Sequence, residues 1–407
     1  MQSLSDKLKE LGVQVGPANL KTNPKSPSSP QLVDFLPGSW ENTSRGDCFV
    51  VRKNLPHSHI HGVRKLSQIP ILDIFEALQL FKGISDIPLS QYLFIDTETT
   101  GLSGGAGTYV FLIGVAKYDE EGLDFAQFFL QDPANESSQL AALEEFSANT
   151  KLLISYNGKS FDLPRIRSRY LLHGWPAPFE NIYHLDLLHI VRRLWKQHLP
   201  GCSLGDVENH LLGIKRSSID IPGWQVAEIF FNYLQDGDPS SLESVFYHNE
   251  VDVISLVTLL SYITHRLSKP LSRVYSKSED LITIGHYLST INHSSLAIRV
   301  LSKALQIDHL SVNQKFSAMS DLASLHKKTG AYEKSVPLWE ACAALKDIQS
   351  SIELAMYYEH RELDYQEAIH WTLSAIEMTQ ISPTPGKISE IKSSLKQRLN
   401  RLKNKAS

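Results

Sequence analysis

Three apolar runs, at residues 92–95, 109–117 and 125–130, are joined by short turns and read as three successive β-strands. The first ends in a pair of acids. In "YLFIDTETTGLSGGAGTYVFLIG", residues 92–114, Asp96 and Glu98 continue the strand at positions i and i+2, so both side chains project to one side. Two like charges so placed repel each other, and burying them unpaired costs several kcal/mol unless cations or donors compensate. Any fold for this chain has to provide that compensation.

Downstream, a helix is expected from about 136 to 148, with Leu140, Leu143 and Phe146 at helical spacing. "KLLISYN" (151–157) reads as a buried strand leading into a helix over about 161–173, and "IYHLDLLHIVRRLW" (182–195) as a short strand running into another helix. Strands and helices in this order predict an α/β fold with a mixed five-stranded sheet, covered by helices on both sides. After Pro270 the pattern is helical only. The segments "SSLAIRVLSKAL", "YEKSVPLWEACA" and "YQEAIHWTLSAI" align at Ala297, Ser335 and Ala368, each with another helix upstream, which gives a hairpin unit of about 34 residues as in tetratricopeptide repeats.

Composition narrows the class. A chain of 407 residues suits two or three domains, and its net charge of −4 excludes the global basic surface of a duplex-coating protein. Cys48, Cys202 and Cys342 are scattered and odd in number, which argues against a disulfide framework and for a reducing compartment. The first residues lack an apolar signal core, and no run of 18 uncharged apolar residues occurs; a soluble, cytoplasmic protein without membrane contact is expected.

Two further acids bear on the opening pair. "ISYNGKSFDLPRI" (154–166) ends a strand and opens a helix with Asp162 in its first turn. "VFYHNEVDVISLVTLL" (245–260) is a helix whose Val253, Leu256, Leu259 and Leu260 face inward, and on it His248 and Asp252 share one face at i, i+4. The carboxylates read either as turn and cap formers that bond the backbone or as hard oxygen ligands gathered around a divalent cation. Their number favours the cation.

"FIDTETTGL", "SYNGKSFDLPRI" and "YHNEVDVISL" resemble, in this order, the three exonuclease motifs of the DEDD superfamily, whose fold is ribonuclease-H-like. Within it the chain is similar to YprB-type proteins, in which such a domain precedes tetratricopeptide-like repeats; the resemblance extends through 184–224 and covers most of 40–265. The Pro/Ser-rich stretch 21–31 reads as a linker after a short helix, so the expected organisation is an N-terminal helix and linker (1–38), an extension of the nuclease domain (39–90), the ribonuclease-H-like domain (91–268) and helical repeats with a basic C-terminal helix (275–407). The resemblance implies Asp96, Glu98, Asp162 and Asp252 as ligands of two Mg²⁺ or Mn²⁺ ions in a 3′-to-5′ exonuclease of single-stranded DNA or RNA. One departure from the family pattern concerns the water-handling residue. Relatives usually place Tyr four residues before the last Asp or His five before it; here His248 is at four and Tyr247 at five. Helical geometry favours His248, because Tyr247 points about 100° away from Asp252's face.

The loop after Glu98 is expected to contact nucleic acid through Thr99, Gly101, Leu102, Gly104 and Gly105, its glycines letting backbone N–H groups approach phosphate. Asn157, Lys159 and Arg165 are expected at the same rim. Two other readings remain: a nucleic-acid-binding scaffold on an inactive nuclease fold, and a structure-specific endonuclease. The repeats are expected to recruit a protein partner. The tail 387–407, with seven Lys/Arg against one Glu, reads first as a capping helix and second as a basic handle. His57, His59 and His61 share one face of an extended segment; Pro56 and the want of a fourth ligand nearby favour ordinary histidines over a zinc site.

Overall fold

In the computed structural model, residues 31–101, 107–272, 278–308, 310–379 and 385–406 are described. The expected N-terminal helix and most of the linker, as well as Leu102, Gly104 and Gly105, lie outside them.

The expected five-stranded sheet forms around β5 (Tyr92–Thr99), β6 (Val110–Tyr118), β7 (Gly122–Phe129), β8 (Leu152–Ser155) and β9 (Tyr183–Asp186). A hairpin of β1 (Gly38–Thr43) and β2 (Gly46–Pro56) extends it, so that seven strands run in the order β1-β2-β7-β6-β5-β8-β9. Pairing is antiparallel from β1 to β5 and parallel from β5 through β8 to β9. The small ribbon of β3 (Ile60–His61) and β4 (Arg64–Lys65) stands apart. In β2 the polar half "RKNLP" leaves Arg52, Asn54 and Pro56 exposed, which a strand with one solvated face tolerates.

Period-2 alternation divides β5 between two cores. Leu93 and Ile95 pack with Leu140, Leu143, Ile166 and Tyr170 of α1 (Glu136–Phe146) and α2 (Asp162–Leu172). Tyr92 and Phe94 face the opposite way, into a core shared with α3 (Leu187–Trp195) and α5 (Leu242–Ser268). Asp96 and Glu98 continue the Phe94 face, while Thr97 continues the Ile95 face. The sheet register therefore fixes what each of the three residues meets. Between β9 and α5 lie a π-helical turn, Glu208–Leu212, and α4 (Gly223–Asp236), whose Phe230 stacks on Phe111 at 4.1 Å between ring centroids.

Beyond α5 come α6 (Ser278–Thr290), α7 (Ser294–Ala304), α8 (Val312–Lys328), α9 (Tyr332–Ala344), α10 (Ile348–Tyr357), α11 (Tyr365–Met378) and α12 (Pro385–Ala406), each packed on its neighbours in sequence. Packing is continuous across the domain boundary expected between 268 and 275. Leu281, Ile284, Leu288, Ala297 and Leu301 belong to the same core as Phe94 and Leu256. Buried Asp280 accepts hydrogen bonds from Trp195 Nε1 (2.9 Å), Tyr262 Oη (2.8 Å) and Arg266 Nε (3.0 Å). Sequence reading parted the two regions because the helical pattern restarts after Pro270, and a change of periodicity does not reveal shared burial.

At the far end, α12 caps the helices. Its Leu395 and Leu402 are buried, and Arg398 (3.1 Å), Arg401 (2.9 Å) and Lys405 (3.1 Å) converge on buried Glu359. Three charges of the basic tail are thus paired with one glutamate, Arg401 and Lys405 while remaining partly exposed. Elsewhere His57 Nε2 lies 3.3 Å from the Glu120 carbonyl oxygen, and His61 Nε2 lies 2.9 Å from Ser255 Oγ, so these two rings address different partners. Among the described residues no helix is long and apolar enough to cross a membrane.

Removing the acid from a buried ion pair leaves an uncompensated charge, at a cost of about 3–5 kcal/mol. Asp280→Ala is therefore expected to destabilise the whole chain by that amount in a denaturant titration. Loss confined to the C-terminal helices, with the sheet domain unfolding as before, would show that the two regions are energetically separate.

Candidate active site

The acids meet where β5 leaves the sheet. The ladder with β6 is irregular between Glu98 and Thr99, a bulge that ends regular pairing just after the second acid. Asp96 lies opposite Gly114 on β6, and Gly114 lies opposite Gln127 on β7. A Cβ at Gly114 would sit 2.1 Å from Asn249 Oδ1, so the glycine makes room for that side chain. Asn249, on α5 and 0 % exposed, donates from Nδ2 to Asp96 Oδ2 at 2.9 Å, and its Oδ1 accepts from Gln127 Nε2 at 2.9 Å. Gln127 Nε2 also donates to the Phe246 carbonyl at 2.8 Å, which orients the amide.

Asp162 opens α2 and is 3 % exposed. Thr97, turned to the opposite face from Asp96 and Glu98, donates its hydroxyl to Asp162 Oδ1. The turn before Asp162 is held by Asp186, which accepts from Asn157 N (2.9 Å), Lys159 N (3.1 Å) and, as the cap of α3, Leu188 N (3.1 Å). One carboxylate thus both caps α3 and shapes the acid-bearing turn. Gly158 is required there, because a Cβ would lie 2.3 Å from Ser155 Oγ.

On α5, His248 Nε2 lies 3.7 Å from Asp252 Oδ2, so the helix face expected for this pair is the one formed. His248 Nδ1 is 2.8 Å from Asp220 Oδ1. Tyr247 turns elsewhere, its hydroxyl accepting from Ser217 N at 2.9 Å. A residue with no signal in the sequence, Arg216, enters from the loop between the π-helical turn and α4. It pairs with Glu208 (Nε–Oε2 2.7 Å, Nη2–Oε1 2.9 Å), with Asp220 (3.3 Å) and through Nη2 with Asp252 Oδ1. Its Nη1 also lies 3.1 Å from His248 Nδ1.

Burial and mutual charge dominate the electrostatics. Burial, then the charges of Asp252 and Asp162, push the carboxyls of Asp96 and Glu98 well above the usual range, while Arg216 works against the rise at Glu98 and Asn249 against that at Asp96. Burial raises Asp162 to about 6 despite the Thr97 hydrogen bond. Burial alone would lower Arg216, but Glu208 and Asp252 overcome it and raise the guanidinium. Four carboxylates of this kind are the hard oxygen donors that Mg²⁺ or Mn²⁺ prefers. Among the described residues, however, no group of three or more His, Cys, Asp or Glu side chains forms a cage ready to hold an ion.

The expected nucleic-acid rim is divided. Asn157 and Lys159 are exposed at the turn before Asp162, and Gly101 is partly exposed. Arg165 is not at the rim: it is buried, its guanidinium 3.4 Å from the Phe161 ring centroid and its Nη1 donating to the Phe161 carbonyl at 2.7 Å. Thr99 is buried too and donates to the Gly101 carbonyl at 3.0 Å, shaping the loop from within. For both, helical or strand phase turned the side chain inward where the motif alone had placed it outward.

A folded-state pKa raised for an acid means that the folded chain binds more protons than the unfolded one between the two values, so stability falls as pH rises through that window. For Asp162 the window runs from the ordinary carboxylate range to about 6. In a chelator, the protein is expected to gain stability on acidification from pH 7 toward 5, by about 1 kcal/mol for this group, since most of that gain falls between pH 6 and 5. Asp162→Asn should flatten that profile in thermal melts; an unchanged profile would contradict the assignment. Separately, Gly114→Ala should destabilise by about 1–3 kcal/mol by displacing Asn249, and relief by the companion change Asn249→Ala is the check on that cause.

The sequence profile of the RNase_H superfamily matches residues 93–264. The uncharacterized protein YprB of Bacillus subtilis (strain 168) is 33 % identical over 334 residues, which cover 79 % of this chain and 78 % of that protein. Among solved structures, the zinc-bound Escherichia coli ExoI–ssDNA complex is matched with 15 % identity and a TM-score of 0.31, over 45 % of this chain and 42 % of that one. A family B DNA polymerase from Pyrobaculum calidifontis is matched with 16 % identity and a TM-score of 0.34, over 61 % and 30 %. The chain spans less than half the length of either. From its identity and coverage with the Bacillus protein, together with the profile match across β5 to α5, the chain belongs to the YprB family and carries an RNase_H-superfamily domain.

Proposed function

We propose that the protein is a metal-dependent nuclease of the DEDD type, acting as a 3′-to-5′ exonuclease on single-stranded DNA or RNA ends. The observation that carries this reading is the convergence, at one end of the sheet, of four acids whose charges act on one another: Asp96, Glu98, Asp162 and Asp252. Such a cluster is unstable by itself and complementary to divalent cations. Those four side chains would hold two Mg²⁺ or Mn²⁺ ions, which when bound activate water and stabilise the leaving oxygen of a phosphodiester.

The rest of the chemistry falls to the chain's own groups. With Nδ1–H directed to Asp220, His248 presents Nε2 as the acceptor, and it is this atom that takes the proton of the attacking water. Asp220 fixes the ring and its tautomer. Asn249 and Thr97 hold Asp96 and Asp162 in place. Lys159 and Asn157 lie exposed beside Asp162 for a phosphate backbone, and the helices after α5 serve partner recruitment.

Purified full-length protein with Mn²⁺ or Mg²⁺ on end-labelled single- and double-stranded DNA and RNA tests the reading: a ladder from the 3′ end supports it, and a single internal cut would favour an endonuclease. Asp96→Asn should abolish activity and leave the metal-free fold at least as stable; full activity in that variant would overturn the site. His248→Ala should lower kcat by about 10²–10⁴, the usual worth of a positioned base. Tyr247→Phe, which removes one hydroxyl bonded to the Ser217 backbone, should leave kcat within a few-fold; the reverse pattern would assign the water to the tyrosine.

A further inference from the structure

Arg216 sets a positive charge directly against these acids, and the proposed function gives it no role. Its guanidinium is held at four points: Glu208 takes it in a two-point fork, Asp220 accepts from Nη1 and Asp252 Oδ1 accepts from Nη2, with the His248 ring packed beside Nη1. Its base is rigid. Glu208 is 1 % exposed and also receives the Ser255 hydroxyl at 2.6 Å, and Ser255 in turn meets His61 at 2.9 Å. The loop is pinned on both sides of the arginine, by Ile214 N to the Glu208 carbonyl (2.9 Å) and by Ser217 N to the Tyr247 hydroxyl (2.9 Å). Movement is therefore left to the end of the side chain, around its bond to Glu208.

The other acids are matched by neutral donors: Asp96 by Asn249 and Asp162 by Thr97. Asp252 accepts a hydrogen bond from a full charge, the Arg216 guanidinium. A guanidinium and a divalent ion on one carboxylate repel each other, and in this partly buried setting water screens that repulsion weakly. A magnesium-sized ion also demands near-octahedral oxygen geometry about 2.0–2.1 Å from each ligand, which an oxygen already directed to Arg216 does not offer.

We infer that Arg216 is a resident counter-ion of the acidic site: it competes with the divalent cation for Asp252, and the cation binds fully only when the guanidinium yields that carboxylate and swings back onto Glu208. The inference rests on the metal-binding reading above and assigns Arg216 as a positioning residue that sets how readily the site loads.

The experiment is a calorimetric titration of Mn²⁺ into the full chain, without nucleic acid, for wild type and three variants. Arg216→Gln should bind Mn²⁺ at least tenfold more tightly than wild type, with a larger metal-induced rise in Tm. Arg216→Lys keeps the charge but cannot bridge Glu208 and Asp252 together, so it should gain several-fold; wild-type affinity in the lysine variant would reduce the effect to general charge and overturn the competition. Should Arg216→Gln fail to fold with Glu208 unpaired, the double variant Glu208→Gln/Arg216→Gln, which replaces the buried pair by a neutral one, gives the same reading. A merely supporting arginine would leave affinity unchanged or weaker on removal, and that result overturns the inference while leaving the metal site standing. Absence of Mn²⁺ binding in wild type and in every variant would instead overturn the metal reading, and this inference with it.

Discussion

Four carboxylates brought to one end of a sheet cannot all remain charged in a protein interior without something to offset them. That constraint organises much of the molecule around it. Asp96 reaches its Asn249 partner only because β6 places a glycine opposite it, and Asn249 is oriented only because Gln127 stands one strand further on. Asp162 is compensated from the other face of β5 by Thr97, while Asp252 draws in a guanidinium from a loop. The period-2 geometry of one strand thus distributes three consecutive polar residues between partners on two sides of the sheet.

The same helix that closes the site also ties it to the C-terminal helices. His248, Asn249 and Asp252 lie toward the first half of α5, and Tyr262 and Arg266 toward its end, where both meet Asp280 of α6. A 27-residue helix is about 40 Å long, so the groups that brace it lie well away from His248, Asn249 and Asp252. Buried Glu359 plays a corresponding part at the far end, gathering Arg398, Arg401 and Lys405 of α12. Among the described residues, the π-helical turns Glu208–Leu212 and Tyr358–Glu362 each carry a buried glutamate that holds arginine: Glu208 with Arg216 and Glu359 with Arg398 and Arg401.

What could be read from the sequence was whatever depended on periodicity. The projection of Asp96 and Glu98 to one side, the placement of Asp162 at a helix start and the shared face of His248 and Asp252 all follow from strand and helix geometry, and the central strands fall where the apolar runs lie. Interactions between segments distant in sequence were not legible. Arg216 lies in a loop without pattern, 36 residues before Asp252. Asn249 looked like one more polar position on a helix, although the isolated glycine in "VFLIGVAKY" was a usable sign that something approaches β6 closely. Arg165 was placed at the rim by its neighbourhood in the motif, whereas its phase on α2 directs it onto Phe161. The boundary near Pro270 marked a change of pattern and no break in the core.

The central claim is that these acids form a site for divalent cations in which protein donors hold the place of the ions. Crystals of the full chain grown without divalent metal and then equilibrated with Mn²⁺, measured at an X-ray energy where manganese scatters anomalously, test it most directly. The account predicts anomalous density among Asp96, Glu98, Asp162 and Asp252, with Arg216 withdrawn from Asp252 and still paired to Glu208. Manganese density elsewhere only, or an Arg216–Asp252 pair unchanged at saturating Mn²⁺, would contradict it.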